Sequence, residues 1–409
     1  MSAWQETDFG RIPSDWDLKR VEDIKGPDKR AIAMGPFGSN IKAENFVEYG
    51  VPVIRGTNLN YSKYVGGDFV FLTEVKAAEL LSSNCKAGDL VFTHRGTIGQ
   101  VGLIPSGKYP HYVISQSGMK LTVDLELMDS DFLFYFFKSE FGQHQILKYE
   151  SQVGVPALSN PLTSLKEIKV PAPRLVEQKA IATVLSSLDN KIDLLHRQNK
   201  TLETMAETLF RQWFVEAPQE GWDERPLSSI ANFLNGLACQ KYPPTNNVEK
   251  LPVLKIRELS SGIHETSDWA TSQVKHGYIV ESGDVIFAWS ASLMVKVWDG
   301  EKCVLNQHLF KVTSDEFPKW FYLRWCKHHL AEFIAVAASQ ATTMGHIKRG
   351  DLDAAMVMVP PPSVLETMSK QMQPLLDKQI AIARQRKTLE KLRDTLLPKL
   401  MSGEVRVAY

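Results

Sequence analysis

Two kinds of hydrophobic pattern alternate along this chain, and each occurs twice. Short apolar runs bounded by turn-forming residues predict strands. KAGDLVFTHRGTIGQVG at 86–102 and ESGDVIFAWSASLMVKV at 281–297 each read as a Gly-Asp turn, a short apolar strand and a polar loop. GVPVIRGTNL at 50–59 matches LPVLKIRELS at 251–260, and YVISQSGMKLTVD at 112–124 matches CVLNQHLFKVTSD at 303–315, which sets Gln116 opposite Gln307. In each copy an aromatic-rich helix candidate follows (DFLFYFFKSEFGQHQI; FPKWFYLRWCKHHLAEFI), then a polar Ser-Gln segment (Ser151-Gln152; Ser339-Gln340) and a proline group (Pro171 and Pro173; Pro360 to Pro362). The offset between copies shrinks from 195 at Gly88/Gly283 to 187 at Leu202/Leu389, as small loop deletions would produce.

The second pattern is helical. After each proline group comes a long stretch, Leu175 to Phe214 and Ser363 to about Met401. In the first, Ile181, Leu185, Leu188, Ile192, Leu195, Asn199, Leu202, Ala206, Leu209 and Trp213 alternate spacings of four and three, the seam of a coiled coil with one polar position that fixes register. The second offers Leu376, Ile380, Leu389, Leu392, Leu396 and Leu400, with Pro374 and Pro398 expected to kink it or to mark its start and end. LDNKIDLLHRQNKTLE (188–203) against LDKQIAIARQRKTLE (376–390) shows the two to be copies.

A helix of roughly 38 residues is about 57 Å long, so two globular domains are expected to be held apart by it. Glu216 to Gly221 is a short breaker, and the second helix buries its seam only by running back along the first. The fold class predicted is mixed α/β (α+β): two repeated globular domains separated by an antiparallel pair of long coiled-coil helices, related by a pseudo-two-fold. The expected boundaries are 1–174 and 216–362 for the domains, and 175–215 and 363–409 for the helical regions. Two non-identical domains of this kind suit two different half-sites on one DNA duplex.

Composition narrows the picture. The 409 residues are 44% apolar and 23% charged, which fits two folded domains and excludes a disordered chain. No stretch reads as a membrane span or a signal peptide, so a cytoplasmic location is expected. Cys85, Cys239, Cys303 and Cys326 stand far apart, which removes the argument for a zinc site or redox pair and predicts reduced, structural thiols. The balance of 47 basic and 47 acidic residues is unlike that of most nucleic-acid binders. Residues 1–175 carry 19 basic and 20 acidic, 220–362 carry 14 and 16, and 363–409 carry 9 and 5, so a DNA surface must be a local patch or be completed by a partner.

GPFGSNIK at 35–42, GVPVIRGTNL at 50–59, GDLVF followed by RGTIGQVG at 95–102, SQVGVPALSNPLTSLKEIKVPAPRLVEQKAIATVLSSLDNKI at 151–192 and its counterpart at 339–380 together resemble the specificity subunits of Type I restriction-modification enzymes. The resemblance covers nearly the whole chain. It implies two target-recognition domains that read a split, asymmetric site in double-stranded DNA, and a non-catalytic role in defence against foreign DNA. It implies partners too: methyltransferase subunits docking on the helical regions and ATP-driven restriction (motor-nuclease) subunits. S-adenosylmethionine, ATP and Mg then belong to those partners, with no catalytic residue, cofactor site or metal site in this chain. One departure is that Leu365-Glu366-Thr367 stands where the first copy has Val176-Glu177-Gln178, so a role given to Gln178 does not carry over.

Polar loop residues after the repeated strands are the candidate DNA contacts, since Arg and Lys suit guanine or phosphate while Gln and Asn suit adenine. In the first domain they are Arg55, Thr57, Asn58, His94, Arg95, Thr97, Gln100, Ser115, Gln116 and Lys120. In the second they are Lys255, Arg257, Glu258, Trp289, Ser290, Ser292, Gln307, His308, Lys311, Gln340, Thr342, Thr343, His346, Lys348 and Arg349. Gly88-Asp89 and Gly283-Asp284 read as structural turns, and His328-His329 as a packed or surface pair. A stand-alone DNA adenine methyltransferase is the main alternative, from Asn160-Pro161-Leu162-Thr163, which lacks the aromatic residue of the base-cradling motif. Glu167-Ile168-Lys169 makes a weak nuclease motif absent from the second copy, and a coiled-coil scaffold without DNA binding leaves the polar loops unexplained.

Overall fold

The computed structural model describes residues 4–8, 10–37, 40–59, 63–151, 154–339 and 345–408. The chain forms two compact units, one of Met1–Asp193 with Leu389–Tyr409 and one of Leu194–Thr388. Each long helix is thus shared between the units.

The sequence repeat is a repeat of topology. In the first unit one four-stranded sheet runs Val70–Leu72, Val51–Ile54, Tyr112–Ile114, Asn84–Cys85, and a second runs Ile32–Met34, Gly118–Leu121, Leu90–Thr93, Val101–Leu103. In the second unit the corresponding orders are Trp269–Thr271, Lys250–Leu254, Cys303–Leu305, Ile279–Val280 and Asn232–Asn235, Leu309–Thr313, Val285–Ala288, Met294–Val297. The parallel pairing Val53↔Val113 of one recurs as Val253↔Val304 of the other. The central strands, Val51–Ile54, Tyr112–Ile114, Leu90–Thr93, Cys303–Leu305 and Val285–Ala288, are short apolar runs buried along their whole length, as strands covered on both faces are.

The Gly-Asp turns do the same job twice. Gly88 (φ 86°) and Gly283 (φ 103°) take the left-handed backbone that launches Leu90–Thr93 and Val285–Ala288. The Asp89 carboxylate accepts from the Lys86 amide at 2.9 Å and the Thr122 hydroxyl at 2.7 Å. Asp284 accepts from the Glu281 amide at 2.9 Å and pairs with Lys311 at 2.7 Å. The aromatic runs are helices buried all round, Ser130–Lys138 capped by Asp129 and Lys319–His328, and each breaks into a second helix, Glu140–Leu147 and Leu330–Ser339. All four cysteines are free and buried.

The first long helix spans Leu175–Arg211 and ends in a wide turn at Gln212–Glu216. Its expected seam holds, with every position from Ile181 to Trp213 buried or half-buried. Gln178 ties its start to the first unit's core, accepting from the Asp129 amide at 2.8 Å and donating to the carbonyls of Pro173 (2.8 Å) and Leu127 (3.2 Å). Phe210 and Phe214 close the second unit's core against Trp325, with ring centroids 5.0 and 5.5 Å from it.

The second long helix spans Pro362–Met401 without interruption, so Pro374 and Pro398 neither begin nor end it. Its expected seam holds at Leu376, Ile380, Leu389, Leu396 and Leu400, all buried or half-buried, and fails at Leu392, which is 45% exposed; Gln379, Arg386 and Arg393 take half-buried positions beside it. Charged residues take inward positions because carboxylates meet them there. In the first unit Arg393 pairs with Asp189 at 3.0 Å, while Leu400 and Met401 join the cluster of Ile181 and Leu185, an antiparallel packing. In the second unit Gln379 donates to Glu203 at 2.9 Å, while Met368, Met372 and Leu376 join the cluster of Ala206, Phe210 and Phe214, again antiparallel.

Two charged clusters stiffen these contacts. Burial alone would raise the Glu203 carboxyl, but Lys327 (2.7 Å) and Arg324 (2.8 Å) hold it down to about 2. Glu177, 1% exposed, is paired with Arg406 near the C-terminus, which also reaches Asp15 at 3.1 Å. In the second copy the aligned Glu366 is exposed and pairs only along the helix surface with Lys370 at 3.2 Å.

Removing Arg406 leaves Glu177 buried and uncompensated, so Arg406→Ala is expected to destabilise the chain by about 3 kcal/mol, whereas Lys370→Ala changes stability by less than about 0.5 kcal/mol; urea denaturation of both variants checks the contrast. Because the folded Glu203 value lies below its unfolded value near 4.5, its contribution is complete above pH 5 or so and is lost as pH falls toward 2. Glu203→Gln should therefore lower the melting temperature at pH 7 and narrow its gap to the parent protein at pH 3, read by thermal denaturation at both pH values.

Candidate nucleic-acid interface

Strand ends and backbone hydrogen bonds bring five segments together at one end of each unit. In the first unit the Ser115 amide donates to the Ile54 carbonyl (2.9 Å), the His94 amide to Ser117 (2.9 Å), the Gly35 amide to Gly118 (2.9 Å), and the Gly96 amide to Pro156 (2.8 Å). In the second unit the Asn306 amide donates to Leu254 (3.1 Å), the Trp289 amide to His308 (3.4 Å), the Gly236 amide to Leu309 (3.0 Å), and the Ala291 amide to Gly345 (2.8 Å). The scaffold is the same; the side chains on it are not.

Two features of this scaffold are backbone crowding and positive φ. A Cβ on Gly35 would fall 1.9 Å from the Ser115 carbonyl oxygen, and one on Gly236 2.3 Å from that of Asn306. Gly96 (φ 85°) has its counterpart in Ala291 (φ 58°), where the left-handed turn is kept despite a side chain that disfavours it. The paired glycines before the first sheet strand's partner loop were the readable signal for residues 35–37 and 235–237 at this end, which the sequence reading of the site missed. Asn235 is among them, accepting from the Trp289 indole at 3.1 Å.

The predicted residues divide by exposure. Arg55, Thr57, Arg95, Thr97 and Gln116 of the first unit, and Arg257, Ser292, His346, Lys348 and Arg349 of the second, are exposed. Gln100, Ser115, Lys255, Trp289, Gln307 and His308 are half-buried. Gln340, Thr342 and Thr343 lie outside the described residues. Buried His94 donates to the Gln116 carbonyl at 3.1 Å, and burial holds its imidazole below its usual range, so it is neutral at neutral pH. Ser290, also buried, shares a hydrogen bond with His308 Nδ1 at 3.1 Å.

Other members of the set are consumed by the framework. Asn58 is buried, with its amide donating to the carbonyls of Gly66 (2.9 Å) and Asp68 (3.0 Å) and its oxygen accepting from the Arg55 amide (2.9 Å). Lys120 is buried and donates to the Asn84 carbonyl beside Asp89. Its counterpart Lys311 donates to the Ile279 carbonyl at 2.8 Å and pairs with Asp284. Glu258 is buried against Arg257 and Ser267. Lys120 and Lys311 occupy strands, and Asn58 and Glu258 the inward side of short helices that follow strands, positions invisible in a polar residue's name, which explains why these four read as loop contacts.

The alternative chemistries find no site. Asn160 (φ 45°) is the turn that starts the helix Pro161–Glu167. Glu167 and Lys169 make surface pairs with Arg20 (3.5 Å) and Asp8 (3.3 Å). His329 stacks on Trp325 at 5.8 Å. Among the described residues no group of three or more His, Cys, Asp or Glu side chains is placed to hold a metal, and no helix is long and apolar enough to cross a membrane.

A family model described as the Type I restriction modification DNA specificity domain matches residues 13–204 and 219–391, one copy on each half of the chain. The MjaIX specificity subunit of Methanocaldococcus jannaschii is 27% identical across 99% of this chain and 97% of its own length. The EcoBI specificity subunit of Escherichia coli is 25% identical over 38% of this chain and 33% of its own. In fold, the S subunit from M. genitalium superposes with a TM-score of 0.60 at 15% identity, covering 94% of this chain and 96% of that one. The doubled scaffold, its doubled family match and the full-length relative lead to one conclusion: this chain belongs to the Type I restriction-modification DNA specificity family, as a specificity subunit, itself non-catalytic, that determines the DNA target of such a system.

Proposed function

We propose that each unit reads one half of a split, asymmetric DNA site through the exposed residues at its converged loop end. The observation that carries this is the pairing of one repeated backbone frame with two different side-chain sets. Arg55, Arg95, Thr97 and Gln116 present donors and acceptors on one frame; Arg257, Ser292, His346 and Lys348 present a different set on the other, while Arg349 lines a groove with Asn232 and Ser314, at the opposite end of the strand Asn232–Asn235. Identical frames with unlike edges give unlike half-sites. Asn58, Lys120, Lys311 and Glu258 hold the frame and read nothing directly.

The chemistry is delegated. Methyltransferase subunits dock on the helical regions, flip the target adenine and supply S-adenosylmethionine; restriction subunits supply ATP- and Mg-dependent translocation and cleavage. The chain acts in the cytoplasm. With no overall basic excess, its phosphate contacts are few and local, and partners complete the DNA clamp. The helices set the spacing of the half-sites.

Methylome sequencing of cells carrying the partner methyltransferase, with and without this gene, tests the reading: N6-methyladenine in one split motif that disappears with the gene is expected, and a motif indifferent to the gene would refute it. Exchanging residues 1–174 for those of another family member is expected to change one half of that motif only. Arg95→Ala, at an exposed loop position, should weaken cognate DNA binding by about 5- to 100-fold without changing thermal stability, measured by titration of the assembled methyltransferase complex.

A further inference from the structure

We propose that Phe37 is a DNA wedge: a rigidly mounted aromatic side chain of the first unit that inserts against a base step of the half-site this unit reads. The inference rests on the converged loops being the DNA-facing surface, and adds to it a contact of a different kind from hydrogen-bonded base edges.

Phe37 is 73% exposed and belongs to no hydrophobic cluster of the described residues. Its mount is unusually constrained. Gly35 and Pro36 before it are buried. Gly35 lies so close to the loop carrying Gln116 that no side chain fits, and its amide is bonded to Gly118 at 2.9 Å. Pro36 fixes φ, and the Phe37 carbonyl accepts a hydrogen bond from the Asn40 amide at 3.3 Å. An apolar ring is therefore held in water, two residues from the backbone that positions Gln116. A ring on such a mount loses little conformational freedom when it is covered.

The second unit solves the same problem differently. Gly236 is equally crowded, but Ala238 stands two residues after it. The aromatic surface comes from Trp289 on another loop, half-buried, stacked on Phe310 with centroids 5.6 Å apart and planes 26° apart, and tethered to Asn235. Trp289 is braced as a shelf; Phe37 is free at its tip. Apolar wedges of that second kind enter between bases and partly unstack them, most readily at pyrimidine–purine steps. The first half-site is then selected partly by how easily one of its steps opens.

The test uses the full chain assembled with its methyltransferase subunits and cognate DNA carrying 2-aminopurine at each half-site position in turn, the methylated adenine excepted. A fluorescence rise at one step of the first half-site is expected, lost in Phe37→Ala and kept in Phe37→Leu, with cognate affinity reduced about 10-fold in the alanine variant and its melting temperature unchanged. If Phe37→Ala binds and methylates like the parent while Arg95→Ala is impaired, the wedge is refuted and the DNA-facing surface stands. If both variants behave like the parent, the wedge falls together with the surface it rests on.

Discussion

Neither unit of this chain closes its core with contiguous sequence. The first needs Leu400 and Met401, from the far end of the chain, against Ile181, Leu185 and Trp16. The second needs Ala206, Phe210 and Phe214 from the first long helix, and Met368, Met372 and Leu376 from the second. An isolated amphipathic helix of this composition is unstable until its seam is covered. Folding of each unit and docking of both helices are thus one event, and everything at the loop ends depends on it.

Within that dependence, charge is used sparingly and inward. Arg393 pairs with Asp189 between the two long helices, Arg324 and Lys327 reach Glu203 of the first long helix from the helix Lys319–His328, and Arg406, beyond the last turn of the second long helix, pairs with Glu177. Buried pairs of this kind add little net stability over apolar packing, yet a shifted register would strand each charge without a partner. The Arg393–Asp189 pair specifies which turn of one long helix meets which turn of the other, and the other two fix the first long helix against the unit around it. The exposed Glu366, at the position of Glu177, shows that this device is present in one copy and absent from the other.

The loop ends divide labour between frame and surface. Asn58, Lys120 and Lys311 donate to backbone carbonyls of the frame, and Gly35 and Gly236 allow two backbones to meet. Because the frame is built from backbone and buried side chains, exposed positions around it vary without cost to the fold. That separation lets one architecture carry Arg95 and Gln116 in one unit and Trp289 and His346 in the other.

The amino-acid sequence alone determined the duplication, the strand–loop order, the extents of both long helices and the family, because turn residues, heptad spacing and repeated strings are local. It determined the seam of the first helix, whose inward positions are nearly all apolar. It determined the seam of the second at every named position but Leu392, where Arg393 is drawn inward instead, because the carboxylate that draws it there, Asp189, is more than 200 residues away. Likewise Lys120 and Arg95 are both basic residues beside strands, and only tertiary structure decided that one is spent on a buried carbonyl and the other is left to solvent. Burial depends on what covers a position, and that covering comes from distant parts of the chain.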